Sequence, residues 1–437
     1  MSTFAAEQPA GEGPLPAARK RPSLAKTAAG LAAGNTAAAV LRAVSGLLAT
    51  RLVDPAVLGL FQGMNLVLGY VPLLGAGVFE GLNRELPYAF GKNDPEKARS
   101  LAGAAQAWAL MIGTATAAGI SAVALWHAFQ GRWMEVAGWL TVAIGGFLLL
   151  FVTSYLQVLY RTNHDFLLLS RARVVQGVLS LVLVVAVGFF GFFGLCIRNL
   201  GIVLVEGLLL WRWRPLRVRA QAAVGEVGHL VKVGGPILLV DQINRLWFVL
   251  HHTLILHFMG ARGLGLFFFP MIYPAVCVVP FAVHEVTYPR ITELYAREGR
   301  VRPIVRYLWK PTLLLCALTF PMVVLAWLAL PLATQLVLPQ YVEGVGAVQW
   351  AMLEVVVLSM LPIRNVFSVV RKQHYYLAAI LGGAAVYLAI LGWLVRSGPS
   401  LEAFAQAFVA GRTAYVALCY FFVYVLCARE KREPWNG

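Results

Sequence analysis

Two arginines, Arg42 and Arg245, lie inside long apolar stretches of this 437-residue chain. A charged group at membrane depth is costly, so each of these residues is a candidate for function. A guanidinium group binds phosphate oxygens through paired hydrogen bonds. The two arginines therefore predict a cationic lining that suits a diphosphate. The alternative is that each one pairs with an acidic neighbour or reaches the membrane surface.

An acidic residue, Asp241, precedes Arg245 by one helical turn. A carboxylate that alternately pairs with Arg245 and releases it could couple ligand binding to protons or sodium. A fixed ion pair within one helix explains the same spacing and is slightly favoured. The sequence leaves both interpretations open.

Further polar groups and prolines fall in or beside apolar stretches. Glu80 and Glu285 come near the ends of two predicted helices, where they could act as gates or as ion-pair partners. Pro72, Pro274 and Pro280 remove backbone donors and bend helices. We expect them to act as hinges or to give simple packing curvature.

Two other groups of polar residues allow a simpler interpretation. Glu354 and Arg412, in different predicted helices, could pair with each other. His251, His252 and His257 have helical spacing but no acidic residue within a turn to complete a metal site. We interpret the histidines as interfacial polar residues, with proton sensing as the alternative.

The elements that carry these residues are predicted from composition. The chain is 59% apolar with a mean hydropathy of +0.73, well above the apolar share of about 45–50% in soluble proteins. About 20 apolar residues suffice for one membrane-spanning helix. The sequence therefore predicts an all-α polytopic membrane protein with twelve transmembrane helices. Within a few residues, these are 27–50, 57–81, 100–126, 135–160, 172–190, 192–212, 228–258, 263–288, 304–334, 345–363, 374–396 and 401–428.

Cationic residues set the expected orientation. Most of the 36 Lys and Arg residues fall in alternate connections, which predicts that both termini are cytoplasmic. The net charge of +16 is spread over short loops, where it fixes topology and attracts anionic lipid headgroups rather than nucleic acid. Five arginines fall in connections on the opposite side: Arg51, Arg132, Arg198, Arg262 and Arg396.

A weak internal repeat divides the predicted helices into two groups of six. Residues 58–61, Leu-Gly-Leu-Phe, recur at 264–267, and the same shift carries Arg84 onto Arg290. Two halves of equal topology predict parallel repeats around a central cavity. The expected segments are a disordered tail over 1–23, six-helix bundles over 24–215 and 216–430, and a cytoplasmic tail over 431–437.

Several short motifs carry a family resemblance. They are the stretch from 58–61 to Gly-Leu-Asn-Arg at 81–84, Gly-Lys-Asn-Asp-Pro-Glu-Lys-Ala at 91–98, Gly-Gly-Pro at 234–236, and Pro289-Arg290. The chain resembles the lipid-linked oligosaccharide, or polysaccharide, flippases of the multidrug/oligosaccharidyl-lipid/polysaccharide (MOP) exporter superfamily. It departs from their pattern at His251, His252 and Thr253, late in the seventh predicted helix, where members often carry an aspartate.

The resemblance implies a MATE-like fold and a function. The cargo would be a lipid-diphosphate-linked oligosaccharide, exported from the cytoplasmic to the exterior leaflet of a bacterial inner membrane by alternating access. Arg42 and Arg245 would neutralise the diphosphate. No cofactor is implied, and coupling would use H+, Na+ or the membrane potential. Membrane lipids and other polysaccharide-assembly proteins are the implied partners, and nucleic acid is not.

Two rival functions remain open at this stage. A drug or toxin antiporter of the same superfamily should favour cations and carry net acid in its cavity. A membrane enzyme of polysaccharide assembly usually needs a large exterior loop or an acidic catalytic pair. The sequence shows neither such a loop nor such an acidic pair, and it contains no P-loop motif for ATP.

Overall fold

The structure, a computed structural model, describes residues 24–163, 165–268, 287, 290–295, 297–396 and 398–432. Regular structure in these residues is entirely helical, which confirms the predicted all-α class. The helices are α1 (Leu24–Arg51), α2 (Pro55–Asn65), α3 (Val71–Leu74), α4 (Val78–Gly91), α5 (Pro95–Phe129), α6 (Trp133–Leu148), α7 (Gln157–Thr162), α8 (Phe166–Val182), α9 (Val184–Phe190), α10 (Phe192–Arg212), α11 (Val224–Phe268), α12 (Val301–Val337), α13 (Val345–Ser359), α14 (Asn365–Val369), α15 (Gln373–Val395) and α16 (Leu401–Arg432).

Nine helical segments among the described residues are long and apolar enough to cross a membrane. They correspond to the second to sixth and the ninth to twelfth predicted spans. The first and seventh predicted spans coincide with α1 and α11. The eighth begins in the last turns of α11 and continues into 269–286, outside the described residues.

The second predicted span is not one continuous helix. A short 3-10 segment, Leu66–Gly69, follows α2, and the four-residue α3 then ends in a turn before α4 begins. Pro72 lacks a backbone donor, and Gly77 adopts a left-handed φ of 87°. The indole of Trp108, on α5, donates to the carbonyl of Gly75 over 3.2 Å, and this carbonyl also accepts from the backbone N–H of Val78 over 2.9 Å.

A short turn separates α4 from α5, before the third span. Asp94 caps α5 by accepting a hydrogen bond of 2.9 Å from the backbone N–H of Lys97. Pro95 occupies the first turn of α5. Since α4 continues to Gly91, this connection is much shorter than the gap between the predicted spans 57–81 and 100–126.

Two glycines turn the chain between neighbouring spans. Gly191, with a φ of 52°, separates α9 from α10 and falls between the predicted spans 172–190 and 192–212. Gly260, with φ 67° and ψ −173°, breaks the helical path inside α11 and so separates the seventh span from the start of the eighth. Left-handed and mirror-β backbone is accessible to glycine because it has no Cβ.

The described chain divides by packing into two compact units. Unit 1 comprises 24–52 and 64–246, and unit 2 comprises 53–63 and 247–432. The predicted halves, 24–215 and 216–430, follow helix number rather than packing, and their boundary stays a prediction. Unit 1 has a core of α4, α5, α7 and the π-helical segment Leu149–Leu156, with Leu82, Leu150 and Tyr160 fully buried.

Unit 2 packs α15 against α16 at a close glycine crossing. A Cβ at Gly383 would lie 2.8 Å from the carbonyl oxygen of Gly411, and one at Gly411 would lie 2.9 Å from that of Gly383. The ring of Trp247 covers the crossing, 3.0 Å from either hypothetical Cβ. The two helices can approach this closely because neither residue carries a side chain.

Candidate functional site

A buried carboxylate joins three helices of unit 1. Glu206, on α10, is only 7% exposed. One of its oxygens accepts a hydrogen bond of 3.3 Å from Nε2 of Gln157, and the other accepts one of 2.5 Å from Nε2 of Gln176. The two amides come from α7 and α8, so the carboxylate joins three helices. A polar group at this depth needs such partners.

Three arginines surround this carboxylate. Arg161 donates from Nη2 to Oε1 of Gln157 over 3.1 Å, and thus reaches Glu206 through the amide. Arg173 donates from Nη1 to Oδ1 of Asn35 over 2.9 Å. Arg42 lies within electrostatic range of Arg173 and Glu206. We call the three arginines, together with Asn35, Gln157, Gln176 and Glu206, the Glu206 cluster. Its formal charge is +2, from three cations and one anion.

The accessibility of the arginines differs from that of the carboxylate. The side chains of Arg42 and Arg161 are exposed and that of Arg173 is half-buried, whereas Glu206 is buried. The guanidinium groups thus form the accessible face of the cluster. Guanidinium donors match phosphate and carboxylate oxygens, so the accessible chemistry is that of an anion site.

A second group of polar residues, the Arg198 cluster, lies on the same helices. Nη2 of Arg198 donates to Oγ of Ser45 over 2.8 Å and to Oγ of Ser180 over 2.7 Å. Nε of Arg198 donates to the backbone carbonyl of Ser180 over 3.2 Å. Arg198 lies inside α10, as the predicted span 192–212 requires, so its assignment to a connection between spans is wrong. The short turn at Gly191 leaves the residue one and a half turns within the helix.

Helical spacing aligns the two clusters into one polar seam, the name used below for both together. Arg198 and Glu206 are eight residues apart on α10, about 12 Å along the axis. Asn35, Arg42 and Ser45 fall at i, i+7 and i+10 on α1. Since such positions share a helix face, one side of α1 contributes to both clusters.

Small residues bring α1 close enough to α8 for these contacts. A Cβ at Gly34 would lie 3.3 Å from Cβ of Ser170, and one at Gly177 would lie 2.9 Å from Cβ of Leu41. Gly177 is adjacent in sequence to Gln176, which binds Glu206. The close approach of the helices therefore positions the polar side chains as well as the apolar ones.

The other predicted site residues lie apart from the seam or outside the described residues. Arg245 has an exposed side chain on α11. Asp241 is helical, but its side chain is outside the described part of the chain. Glu80 lies half-buried in the first turn of α4. Pro72 lies in α3, within the break of the second span. Three residues lie outside the described residues: Pro274, Pro280 and Glu285.

Unit 2 contains a buried ion pair that the sequence analysis suggested. Nε of Arg412 lies 3.1 Å from Oε1 of Glu354, and the side chains are only 7% and 3% exposed. The guanidinium also lies over the rings of Trp247, at 4.4 Å, and Phe408, at 5.0 Å. A cation over aromatic faces gains further stabilisation in a dry site. The pairing of Glu354 with Arg412 is thus confirmed.

Two histidines are buried beside this pair, contrary to the interfacial position predicted for them. His251 is fully buried and His252 is 3% exposed, whereas His257 is exposed. Nδ1 of His251 lies 3.1 Å from the hydroxyl of Tyr387, and its ring stacks on Phe408 at 4.2 Å. The histidines are drawn inside because the neighbouring aromatic rings form the packed interior of unit 2.

No metal site appears in the part of the chain that the structure describes. Among those residues, no three His, Cys, Asp or Glu side chains come together as ligands. The described cysteines Cys196, Cys316, Cys419 and Cys427 are free thiols, and Cys277 lies outside the described residues.

Sequence reasoning identified some seam residues and missed others. Arg42 was singled out, and Glu206 has the same signal, a charge within an apolar stretch. Arg161 falls just outside the predicted span 135–160, whereas α7 continues to Thr162. Arg173 falls at the start of the predicted span 172–190, whereas α8 already begins at Phe166. Polar residues at i, i+3 and i+7 on α8, namely Arg173, Gln176 and Ser180, are the pattern that could have shown the seam.

Comparison with known proteins identifies the fold. A multidrug resistance MATE family transporter of the MOP superfamily, in its inward-facing conformation, matches with a TM-score of 0.73 and 13% identity, over 91% of this chain and 96% of the other. An outward-facing structure of such a transporter matches with a TM-score of 0.65 and 14% identity, over 93% and 97% of the two chains. No protein-family model and no curated protein sequence matches.

A third solved structure differs in its described chemistry. It is a MOP superfamily transporter from Pyrococcus furiosus Vc1 (DSM3638), whose reverse polarity of binding pocket is said to suggest a different function. The TM-score is 0.64 and the identity 15%, over 93% of this chain and 97% of the other. At this level of identity the likeness establishes the fold: the chain is an all-helical membrane protein with the twelve-helix fold of MATE transporters.

Proposed function

We propose that this chain is an alternating-access transporter that flips a lipid-diphosphate-linked oligosaccharide between membrane leaflets, from the cytoplasmic to the exterior one. The fold supports transport, since solved proteins of this fold include inward-facing and outward-facing transporters. The nature of the cargo is argued from the polar seam. No catalytic step is part of the proposal.

The proposed class of cargo rests on one observation, the excess of cations in the Glu206 cluster. Arg42, Arg161 and Arg173 are opposed by one carboxylate, and Glu206 is occupied by two glutamine amides. A site for cationic drugs should instead have excess acid. The remaining guanidinium donors suit a diphosphate, which offers several anionic oxygens in a compact group.

Five residues of the Glu206 cluster have a role in this proposal. Arg42 and Arg161 contact the phosphates directly, because their side chains are the accessible ones. Glu206 holds Gln157 and Gln176 in fixed orientations, and Gln157 in turn orients Arg161. The anion would thus meet a preorganised set of donors at little ordering cost.

The remaining predicted site residues keep the roles proposed from the sequence. Arg245 provides a second cationic contact from α11, where its side chain is exposed. Asp241, Glu80 and Glu285 are proposed for coupling or gating, and Pro72, Pro274 and Pro280 for bending. Coupling would use H+, Na+ or the membrane potential, with a location in a bacterial inner membrane and both termini cytoplasmic. Polysaccharide-assembly proteins would be partners.

A drug or toxin antiporter is the second candidate function. It is favoured by the solved neighbours that are described as multidrug resistance transporters. The neighbour with a pocket of reverse polarity supports the view that this fold accommodates cargo of either charge. The charge of the Glu206 cluster is therefore the discriminating feature.

The test begins with deletion of the gene and analysis of lipid-linked sugars in each leaflet. The proposal expects a finished lipid-linked oligosaccharide to accumulate on the cytoplasmic leaflet. Normal distribution of every lipid-linked sugar, together with loss of drug resistance, would instead establish the antiporter. Sugar transfer between lipid carriers by the purified protein would establish an enzyme.

Site variants then test the cargo contact. Arg42→Gln with Arg161→Gln should reduce flipping roughly 100-fold, since hydrogen bonds to charged groups contribute about 1.5–3 kcal/mol each. The matched control is Arg132→Gln with Arg262→Gln, which removes two exposed arginines that pair with Glu135 and Glu343. Equal flipping by both double variants would exclude the seam as the diphosphate site.

A further inference from the structure

A second cationic feature follows the end of α10. Residues 211–219 read Trp-Arg-Trp-Arg-Pro-Leu-Arg-Val-Arg, four arginines and two tryptophans in nine residues. We call this segment the arginine strap. It begins in the last turn of a segment that is long and apolar enough to cross a membrane, Phe192–Arg212. The strap therefore lies where such a span leaves the bilayer.

The strap is held in place by apolar and backbone contacts. Leu216 is 4% exposed and belongs to the core of unit 1, and Val218 packs against that core. Just after the strap, the backbone N–H of Gln221 donates to the carbonyl of Gly103 over 3.1 Å. A Cβ at Gly103 would lie 2.9 Å from the carbonyl oxygen of Arg219, so α5 and the strap approach closely. The strap is thus a fixed element of unit 1.

Buried or half-buried side chains alternate with exposed ones over residues 216–219, and the exposed ones are arginines. Leu216 and Val218 face the core, while Arg217 and Arg219 between and after them are exposed. Trp211 and Trp213 are 36% and 53% exposed. Indole rings favour the headgroup level of a membrane, where one end is apolar and the other is hydrated.

Arg214 is the inner member of the strap. Its guanidinium stacks on the ring of Trp211 at 3.6 Å, and Nη1 donates to the carbonyl of Trp211 over 3.0 Å. Its Nε atom is buried, with no hydrogen-bond partner among the described residues. Burial, and then the positive charge of Arg217, lowers the pKa of Arg214. A bound anion would relieve this repulsion.

We propose that the arginine strap is a binding site for the phosphate of anionic phospholipids in the adjoining leaflet. The charge, the fixed spacing of the guanidinium groups and the flanking indoles together suit a lipid headgroup whose acyl chains lie beside α10. The site is separate from the polar seam and does not depend on the identity of the cargo. A bound lipid would hold the arginine strap at the membrane surface.

The test uses the full-length protein, purified in detergent and titrated with phosphatidylglycerol while bound lipid is counted by native mass spectrometry. The Arg217→Gln, Arg219→Gln variant should bind phosphatidylglycerol roughly 30-fold more weakly than wild type. This fold-change corresponds to about 2 kcal/mol for two basic residues near an anionic surface. Phosphatidylcholine should bind weakly to both proteins.

A matched control separates the strap from general cationic charge. Arg297→Gln with Arg300→Gln removes two exposed arginines elsewhere and should leave phosphatidylglycerol binding unchanged. Arg217→Lys with Arg219→Lys checks folding and should keep most of the binding. Equal losses in the strap and control variants would overturn the proposal. So would displacement of the lipid by millimolar inorganic phosphate, which would indicate a site for a free anion.

Discussion

Gly59 and Gly265 lie backbone against backbone. A Cβ at Gly59 would come 2.7 Å from the backbone nitrogen of Gly265, and one at Gly265 would come 2.9 Å from that of Gly59. Each would also collide with a carbonyl, that of Ala261 or of Pro55, and these two residues are related by the same sequence shift as the glycines. The two copies of the Leu-Gly-Leu-Phe repeat therefore pack directly on each other within unit 2, as a local two-fold pair.

The backbone contact between Gly59 and Gly265 predicts that one added methyl group at either position lowers the stability of the protein. Gly59→Ala and Gly265→Ala should each destabilise the protein by about 1–3 kcal/mol, because backbone atoms cannot move aside as a flexible side chain can. The measurement is the thermal unfolding midpoint of the purified protein in detergent. Gly392→Ala is the control, since a Cβ there meets nothing within 4 Å. A control that unfolds as early as the two variants would contradict the packing argument.

The break in the second span gives a second prediction. Gly77→Ala should reduce stability and folded yield, because the residue has a φ of 87° and a Cβ there would lie 2.5 Å from the carbonyl carbon of Gly234. Gly131→Ala separates the two causes: Gly131 has a φ of 69°, but its Cβ would meet nothing within 4 Å. We expect a loss of about 1 kcal/mol there. Similar losses at both positions would attribute the effect to backbone strain alone.

The two arginines chosen from the sequence can be tested together. Arg42→Ala combined with Arg245→Ala should abolish export while the protein still inserts in the membrane at normal levels. Of the two single variants, Arg42→Ala should cause most of the loss of export, because Arg42 lies near Arg173 and Glu206. The assay is transfer of lipid-linked sugar to the exterior leaflet. Wild-type export by the double variant would remove both residues from the proposed site.

The buried ion pair of unit 2 predicts strong non-additivity. Arg412→Met alone should cost about 3–5 kcal/mol, because it leaves the carboxylate of Glu354 buried and unpaired. Glu354→Gln in the same protein should recover most of that loss, since no uncompensated charge remains. Thermal unfolding of the four proteins of this cycle gives the coupling. Additive losses would mean that the pair contributes no buried electrostatic interaction.

His251 provides a test of the two interpretations offered for the histidines. His251→Phe keeps a ring against Phe408 and removes the contact with the hydroxyl of Tyr387. We expect a modest loss of stability and an unchanged pH profile of transport, because the ring packs among aromatic residues as a structural element. A pH profile that shifts in His251→Phe, with Tyr387→Phe behaving like wild type, would instead support proton sensing.

Much of the architecture follows from the sequence alone. The length and continuous apolarity of each stretch determined where helices form, because a backbone in lipid must satisfy its own hydrogen bonds. Turn chemistry was equally local: Asp94, Pro95 and Gly191 mark helix boundaries through capping, a fixed φ and a left-handed φ. Its position inside an apolar stretch also identifies Arg42 as a candidate functional residue from the sequence alone.

Only the tertiary structure decided which polar residues meet. Glu206, Gln157 and Gln176 come from three helices, and their contact depends on how each helix is rotated about its axis. That rotation is set by close contacts such as Gly177 against Leu41, which no local pattern specifies. For the same reason the buried position of His251 could not be read from its neighbours in sequence. Local rules determine that a helix forms, whereas packing between distant residues determines which of its faces is buried.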